Sequence, residues 1–213
     1  MVASPSFREQ LIERPGEVLD ALDLTERERR RLLAIAAQPG MPLNTAIHRA
    51  NRISPLDHTL PFTCFLIGQQ LRDVLECYWS RNPAENLQLP AECERFAAFL
   101  EAGIQTGIVT PGPYLEEILT FERSCTELRF FTEEELRRRA PSHLGLPPLV
   151  RIVHFRHDPV ILLEALGNLE MPPADCPTGE FHLLIDCRSG EPDFRLLDAA
   201  ALAAVERLAD ESS

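Results

Sequence analysis

Lysine is missing altogether: all 21 basic side chains among the 213 residues are arginine. Without that amine there is no Schiff-base nucleophile and no phosphate loop of the Walker type. Paired cysteines are missing too. Cys64, Cys77, Cys93, Cys125, Cys176 and Cys187 stand singly, with no C-x-x-C spacing. They read as small buried hydrophobes of a reducing compartment rather than as a metal knuckle or a disulfide framework. No run approaches the roughly 20 apolar residues that cross a bilayer, and the start, MVASPSFREQ, lacks the basic and apolar regions of a secretory signal. The expected location is the cytoplasm, with no membrane partner. There is no G-x-S-x-G, no H-E-x-x-H, no glycine-rich phosphate loop and no paired-carboxylate motif, so nothing supports a hydrolase or a dinucleotide oxidoreductase. Positive charge is in deficit, 21 basic against 33 acidic residues for a net −12. That balance repels phosphate backbones, and nucleic acid is not an expected partner.

The 45% hydrophobic and 25% charged composition is that of a folded globular protein. The length suits two small cores. The first is expected over residues 1–140 as a helical bundle. Phe7 to Arg14 and Glu17 to Leu22 carry apolar residues at helical spacing, and Pro15 suits the first turn of the second segment. Thr25-Glu-Arg-Glu28 has the spacing of a capping box and predicts a helix from Glu26 to about Ala37, stopped by Pro39-Gly40. Met41 to Thr59 is polar on several faces, so part of it is expected at the surface. Phe62, Phe65, Leu66, Leu71, Val74, Leu75 and Tyr78 predict one long helix from Leu60-Pro61 to Arg81. Pro90 and Pro113 open two more.

After the charged run Thr132 to Arg139 and the proline-rich turn Pro141 to Pro148, the period changes. Leu149 to Phe155 alternates and is rich in β-branched and aromatic residues, as a strand is. Asp158-Pro159 supplies an N-cap and a first-turn proline for a short helix ending at Gly167. Phe181 to Cys187 and Phe194 to Leu197 read as a hairpin around Arg188-Ser-Gly-Glu191, and Asp198 caps a last helix. Residues 141–213 therefore predict a small domain of order β-α-β-β-α with an open sheet, and the chain as a whole an α+β fold.

Few residues suggest chemistry. His154-Phe-Arg-His157-Asp158 is the compact group of potential metal ligands, but three-residue spacing across a strand end does not make two histidines converge. No metal site and no catalytic residue is expected in this chain. Cys64 near a helix start would be a nucleophile if exposed, but its apolar neighbours favour burial. Arg49 and Arg52, three apart, project from one helical face and suit partner carboxylates as well as solvent. Glu133 to Arg139 reads as a solvated helix or linker.

Several motifs in order resemble a known family. They are Leu11-Ile-Glu-Arg-Pro-Gly16, Leu24-Thr-Glu-Arg-Glu-Arg29, Arg49-Ala-Asn-Arg52 continuing to Leu56, and Leu60-Pro-Phe-Thr-Cys-Phe-Leu-Ile-Gly68. Phe96-Ala-Ala-Phe-Leu100, Tyr114 to Glu122, Val150 to Pro159 and Leu183-Leu-Ile-Asp186 extend the pattern over nearly the whole chain. The layout resembles the partner proteins of multinuclear non-heme iron-dependent oxidases, as in methanobactin and thiaglutamate pathways. The resemblance implies a heterodimer in which the companion oxidase holds the iron and this chain carries no cofactor. It implies that this subunit binds the leader of a ribosomally made precursor peptide and delivers its core, often at a cysteine.

An exposed sheet edge offers unpaired N–H and C=O groups to an extended peptide. Leu149, Val150, Arg151, Ile152, Val153, His154 and Phe155 are therefore the expected peptide-binding strand, with the Phe181 to Cys187 strand the other choice. Arg49, Arg52, Arg156 and His157, polar residues inside the family-like motifs, are the expected contacts with the oxidase. A DNA-binding regulator is the alternative, and it predicts a basic recognition face. A stand-alone enzyme using Cys64 or the His154 group is a third reading.

Overall fold

Proline and capping side chains set most of the helix starts in the computed structural model, which describes residues 5–82, 89–139 and 146–210. The helical part comprises α1 (Pro5–Glu13), α2 (Pro15–Asp20), α3 (Glu26–Ala36), α4 (Met41–Thr59), α5 (Pro61–Ile67), α6 (Leu71–Arg81), α7 (Leu89–Thr106), α8 (Leu115–Phe130) and α9 (Glu133–Arg139). The rest is β1 (Val150–His157), α10 (Pro159–Gly167), β2 (Thr178–Asp186), β3 (Asp193–Leu197) and α11 (Ala199–Asp210). The fold is thus α+β, with a helical N-terminal part and the expected β-α-β-β-α order after it. No helix among the described residues is long and apolar enough to cross a membrane.

Local chemistry accounts for the boundaries. Proline stands at N1 or N2 of α2, α4, α5 and α10, where a missing N–H costs nothing. Thr25 and Glu28 form the expected reciprocal cap on α3: the Thr25 hydroxyl accepts the Glu28 N–H and the Glu28 carboxylate accepts the Thr25 N–H. Thr132 and Glu135 repeat the device on α9, and a 3.0 Å Arg137–Glu133 pair runs along that helix. The long helix expected from Leu60 to Arg81 is instead broken. Gly68 takes φ +54 after α5, and a 3₁₀ turn over Gly68–Gln70 leads into α6. Hydrophobic spacing alone does not register such a break, because both pieces bury the same kind of face; the glycine permits it.

Three apolar clusters hold the described residues together. Leu11, Leu19 and Ala36 pack α1 to α3 together. Leu56, Leu60, Tyr78, Phe96 and Leu100 center the second cluster, which also takes Leu115 and Leu119 of α8. The third joins Ile118, Phe121 and Leu128 of α8 to Leu136, Val153, Phe155, Leu162 and Ile185. Helix α8 is therefore apolar on two sides, one for the bundle and one for the sheet. The expected boundary at 140/141 and most of the Pro141 to Pro148 turn lie outside the described residues.

The sheet is antiparallel in the order β1-β2-β3. β2 begins at Thr178, three residues before the expected strand, and Gly190 takes φ +92 in the turn to β3. α10 has the predicted cap, with Asp158 accepting the Val160 N–H at 2.9 Å.

Buried Glu92 gathers arginines inside the bundle. The Arg52 guanidinium, 2% exposed, donates to one oxygen of fully buried Glu92 at 2.8 and 3.1 Å and to the Asn82 carbonyl at 3.0 Å. Arg95 takes the second Glu92 oxygen at 3.0 Å, and the rings of Tyr78 and Trp79 lie 5.4 and 5.6 Å from the Arg52 guanidinium carbon. Arg52→Ala would strand a buried carboxylate. It should lower unfolding free energy by about 3–5 kcal/mol in urea titrations, with the Arg52→Met/Glu92→Leu double variant losing much less.

Candidate peptide-docking edge and groove

The backbone alternation of the sheet decides which groups are free. The Cys187 N–H donates to the Leu149 carbonyl at 2.9 Å, and the register pairs Val150 with Asp186 one step further in. Leu149 and Cys187 are thus a hydrogen-bonded pair. Alternation makes Arg151, Val153 and Phe155 bonded partners of β2 and turns the N–H and C=O groups of Val150, Ile152, His154 and Arg156 outward. The ends of that edge are already used: the Val150 N–H donates to the Pro147 carbonyl at 3.0 Å and the Arg156 N–H to Glu117 at 2.7 Å. The same alternation on the other side of β2 leaves Phe194 and Leu196 of β3 facing outward.

Glu117 of α8 clamps the end of β1, where the strand bulges between Phe155 and His157. Its buried carboxylate accepts the Arg156 N–H, the His157 N–H at 3.1 Å and, on its other oxygen, bonds His157 Nδ1 at 2.6 Å. Tyr114 meets the His157 ring edge-on at 4.9 Å, and its hydroxyl donates to the Pro173 carbonyl at 2.6 Å.

Five residues further along α8, Glu122 does the same for the bundle. It accepts the N–H groups of Phe62 and Thr63 at 2.7 and 2.8 Å, at the start of α5. Burial pushes its carboxyl up from the ordinary 4.5 to about 7, against the pull of those N–H donors. Beside it runs a groove of about 470 Å³ lined by Phe62, Phe121, Phe130, Leu163 and Phe194, with His58 and Arg129 also contributing. The Phe194 ring lies 5.8 Å from that of Phe121, yet Phe194 and its neighbour but one, Leu196, remain 46% and 47% exposed. An edge strand with open backbone and a half-covered apolar groove therefore lie side by side.

The residues expected from sequence are distributed as follows. Val150, Val153 and Phe155 are buried, Ile152 is half-buried and His154 is exposed. Leu149 packs against the sheet-side core, and Arg151 donates to the carbonyls of Pro148 and Val150. Arg52 does not offer its charge to a partner, because Glu92 and the Asn82 carbonyl occupy it inside the bundle. Arg49 is partly exposed and pairs with Glu76 at 2.5 Å, and exposed Arg156 pairs with Glu116 at 3.0 Å. His157 turns inward to Glu117, whereas His154 faces His182 across the sheet, so the two do not converge. Among the described residues no group of three or more His, Cys, Asp or Glu is placed to hold a metal ion. Cys64 is buried, and its desolvated thiol is pushed up to about 12. The groove and the β3 edge were not legible beforehand. Their signal, Phe-Arg-Leu-Leu, marks a strand but not its position in the sheet.

No model of a known protein family matches the chain, and no curated protein is significantly similar to it.

The position of Glu122 gives a pH signature. Its folded-state carboxyl holds a proton above the ordinary value, so the folded state loses relative stability as pH rises from about 4.5 to about 7. Below that window the group is protonated folded or unfolded and contributes nothing. Glu122→Gln should therefore become progressively more stable relative to the parent chain across that window, with a flat difference on either side, in urea titrations at a series of pH values.

Proposed function

We propose that this chain is a non-catalytic partner subunit. It binds the leader of a ribosomally made precursor peptide as an added strand and presents the core to a multinuclear non-heme iron-dependent oxidase that itself holds the iron. The observation that supports the reading best is the open edge of β3 alongside the apolar groove. An added strand gains main-chain hydrogen bonds from the edge and selectivity from a pocket for alternate side chains. A peptide residue opposite Phe194 places its side chain on the Phe194 face, which is the face turned to the groove. The β1 edge, expected first, is the weaker fit: only Ile152 and His154 remain open there, between ends held by Pro147 and Glu117. Arg49 and Arg156 remain the candidate contacts with the oxidase, each with its side chain partly in solvent.

Co-expression of the tagged chain with the oxidase and the precursor peptide tests the reading. A one-to-one complex carrying iron only when the oxidase is present supports it; a lone chain that retains neither protein nor peptide contradicts it. The edges are separable. Proline at an outward-facing position removes a docking donor without removing a ladder bond. Leu196→Pro should weaken leader binding by about tenfold, roughly the loss of one hydrogen bond. Ile152→Pro should leave it near the parent value, both read by fluorescence anisotropy of labelled leader.

A further inference from the structure

The face of the sheet turned away from α8 carries a pair of histidines whose side chains the proposed docking at the β3 edge does not use. His154 and His182 are directly opposed in the β1–β2 register. They occupy a non-hydrogen-bonded position, as the Leu149–Cys187 bond and the alternation require, and there opposed side chains approach most closely. Their ring centroids are 5.2 Å apart with the planes inclined at 58°. Among the described residues neither ring has a hydrogen-bonding or ionic partner, whereas nearby His157 is taken by Glu117. His154 is exposed and His182 half-buried, so the pair is open to solvent.

We propose that His154 and His182 form a two-point chelate for a divalent transition-metal ion of the zinc class. Two imidazole nitrogens at zinc–nitrogen distances of about 2.0–2.1 Å lie about 3.3 Å apart on a tetrahedral ion. Each ring nitrogen lies off its centroid, so small side-chain rotations bring two nitrogens from rings 5.2 Å apart to that separation. Neutral imidazole is a ligand of choice for zinc, copper and nickel. No third His, Cys, Asp or Glu completes the set among the described residues. The ion therefore keeps open positions for water or for a donor atom of a bound molecule, as incompletely ligated zinc does. The site exists only when β1 and β2 are paired, so an ion bound there stabilises the folded state by mass action. This inference stands apart from the peptide-presenting reading and survives if that reading fails.

Titration of the chelator-treated full chain with zinc chloride tests it, followed by calorimetry and by thermal unfolding. A single saturable site is expected, with a rise in melting temperature on adding zinc. His154→Ala and His182→Ala should each weaken binding by at least about tenfold and remove the rise, while leaving the zinc-free melting temperature near that of the parent. Saturable binding that survives in both single variants, as from the cysteine thiols, would overturn the proposal, and so would the absence of saturable binding to the parent chain.

Discussion

Two buried carboxylates on one helix hold the two halves of this molecule together. Glu117 and Glu122 both belong to α8, which is apolar on the side facing the bundle and on the side facing the sheet. A helix buried on two sides has little solvent face left, and carboxylates there are costly unless every oxygen has a donor. Each finds its donors in a neighbouring element. Glu117 takes two backbone N–H groups and a histidine at the bulge of β1. Glu122 takes the first two N–H groups of α5, where a helix start has them to offer. The sheet, α8 and α5 are thereby fixed relative to one another.

The groove is a consequence of that arrangement. Its walls come from α4, α5, α8, α10 and β3, with Phe62, Phe121, Phe130, Leu163 and Phe194 as the large apolar groups. The clamp at the end of β1 also decides which sheet edge stays available, since it consumes the Arg156 and His157 donors. The β1 edge is thus partly closed, and the β3 edge is open beside apolar surface. The chain's exclusive use of arginine suits the bundle as well. The planar fork of Arg52 reaches Glu92 with two nitrogens and the Asn82 carbonyl with one of them, while its face lies near Tyr78 and Trp79. A lysine ammonium has no such geometry.

Local chemistry was the legible part of the sequence. The Thr25–Glu28 box, the first-turn prolines Pro15, Pro61 and Pro159, the Asp158 cap and the β-α-β-β-α order each depend on residues within a few positions of one another, and all are present in the fold, whereas Pro113 falls two residues before α8, which starts at Leu115 behind Tyr114. Non-local placement was not legible. Arg52 looked like a surface residue because its partner, Glu92, is forty positions away. The break at Gly68 was masked by apolar residues that continue in step on both sides of it. The Thr132–Glu135 box was available as a signal for α9 and was hidden by the run of charges around it. Strand order and edge exposure depend on how the hairpin docks onto α8, which no residue pattern in β1 or β3 encodes.

Residue-resolved amide hydrogen exchange of the full chain, alone and with the leader of a candidate precursor peptide, tests the proposed docking most directly. Addition of a strand to β3 predicts slowed exchange at Phe194 and Leu196, with Ile152 and His154 unchanged. Slowing at Ile152 and His154 instead, or at neither edge, would contradict it.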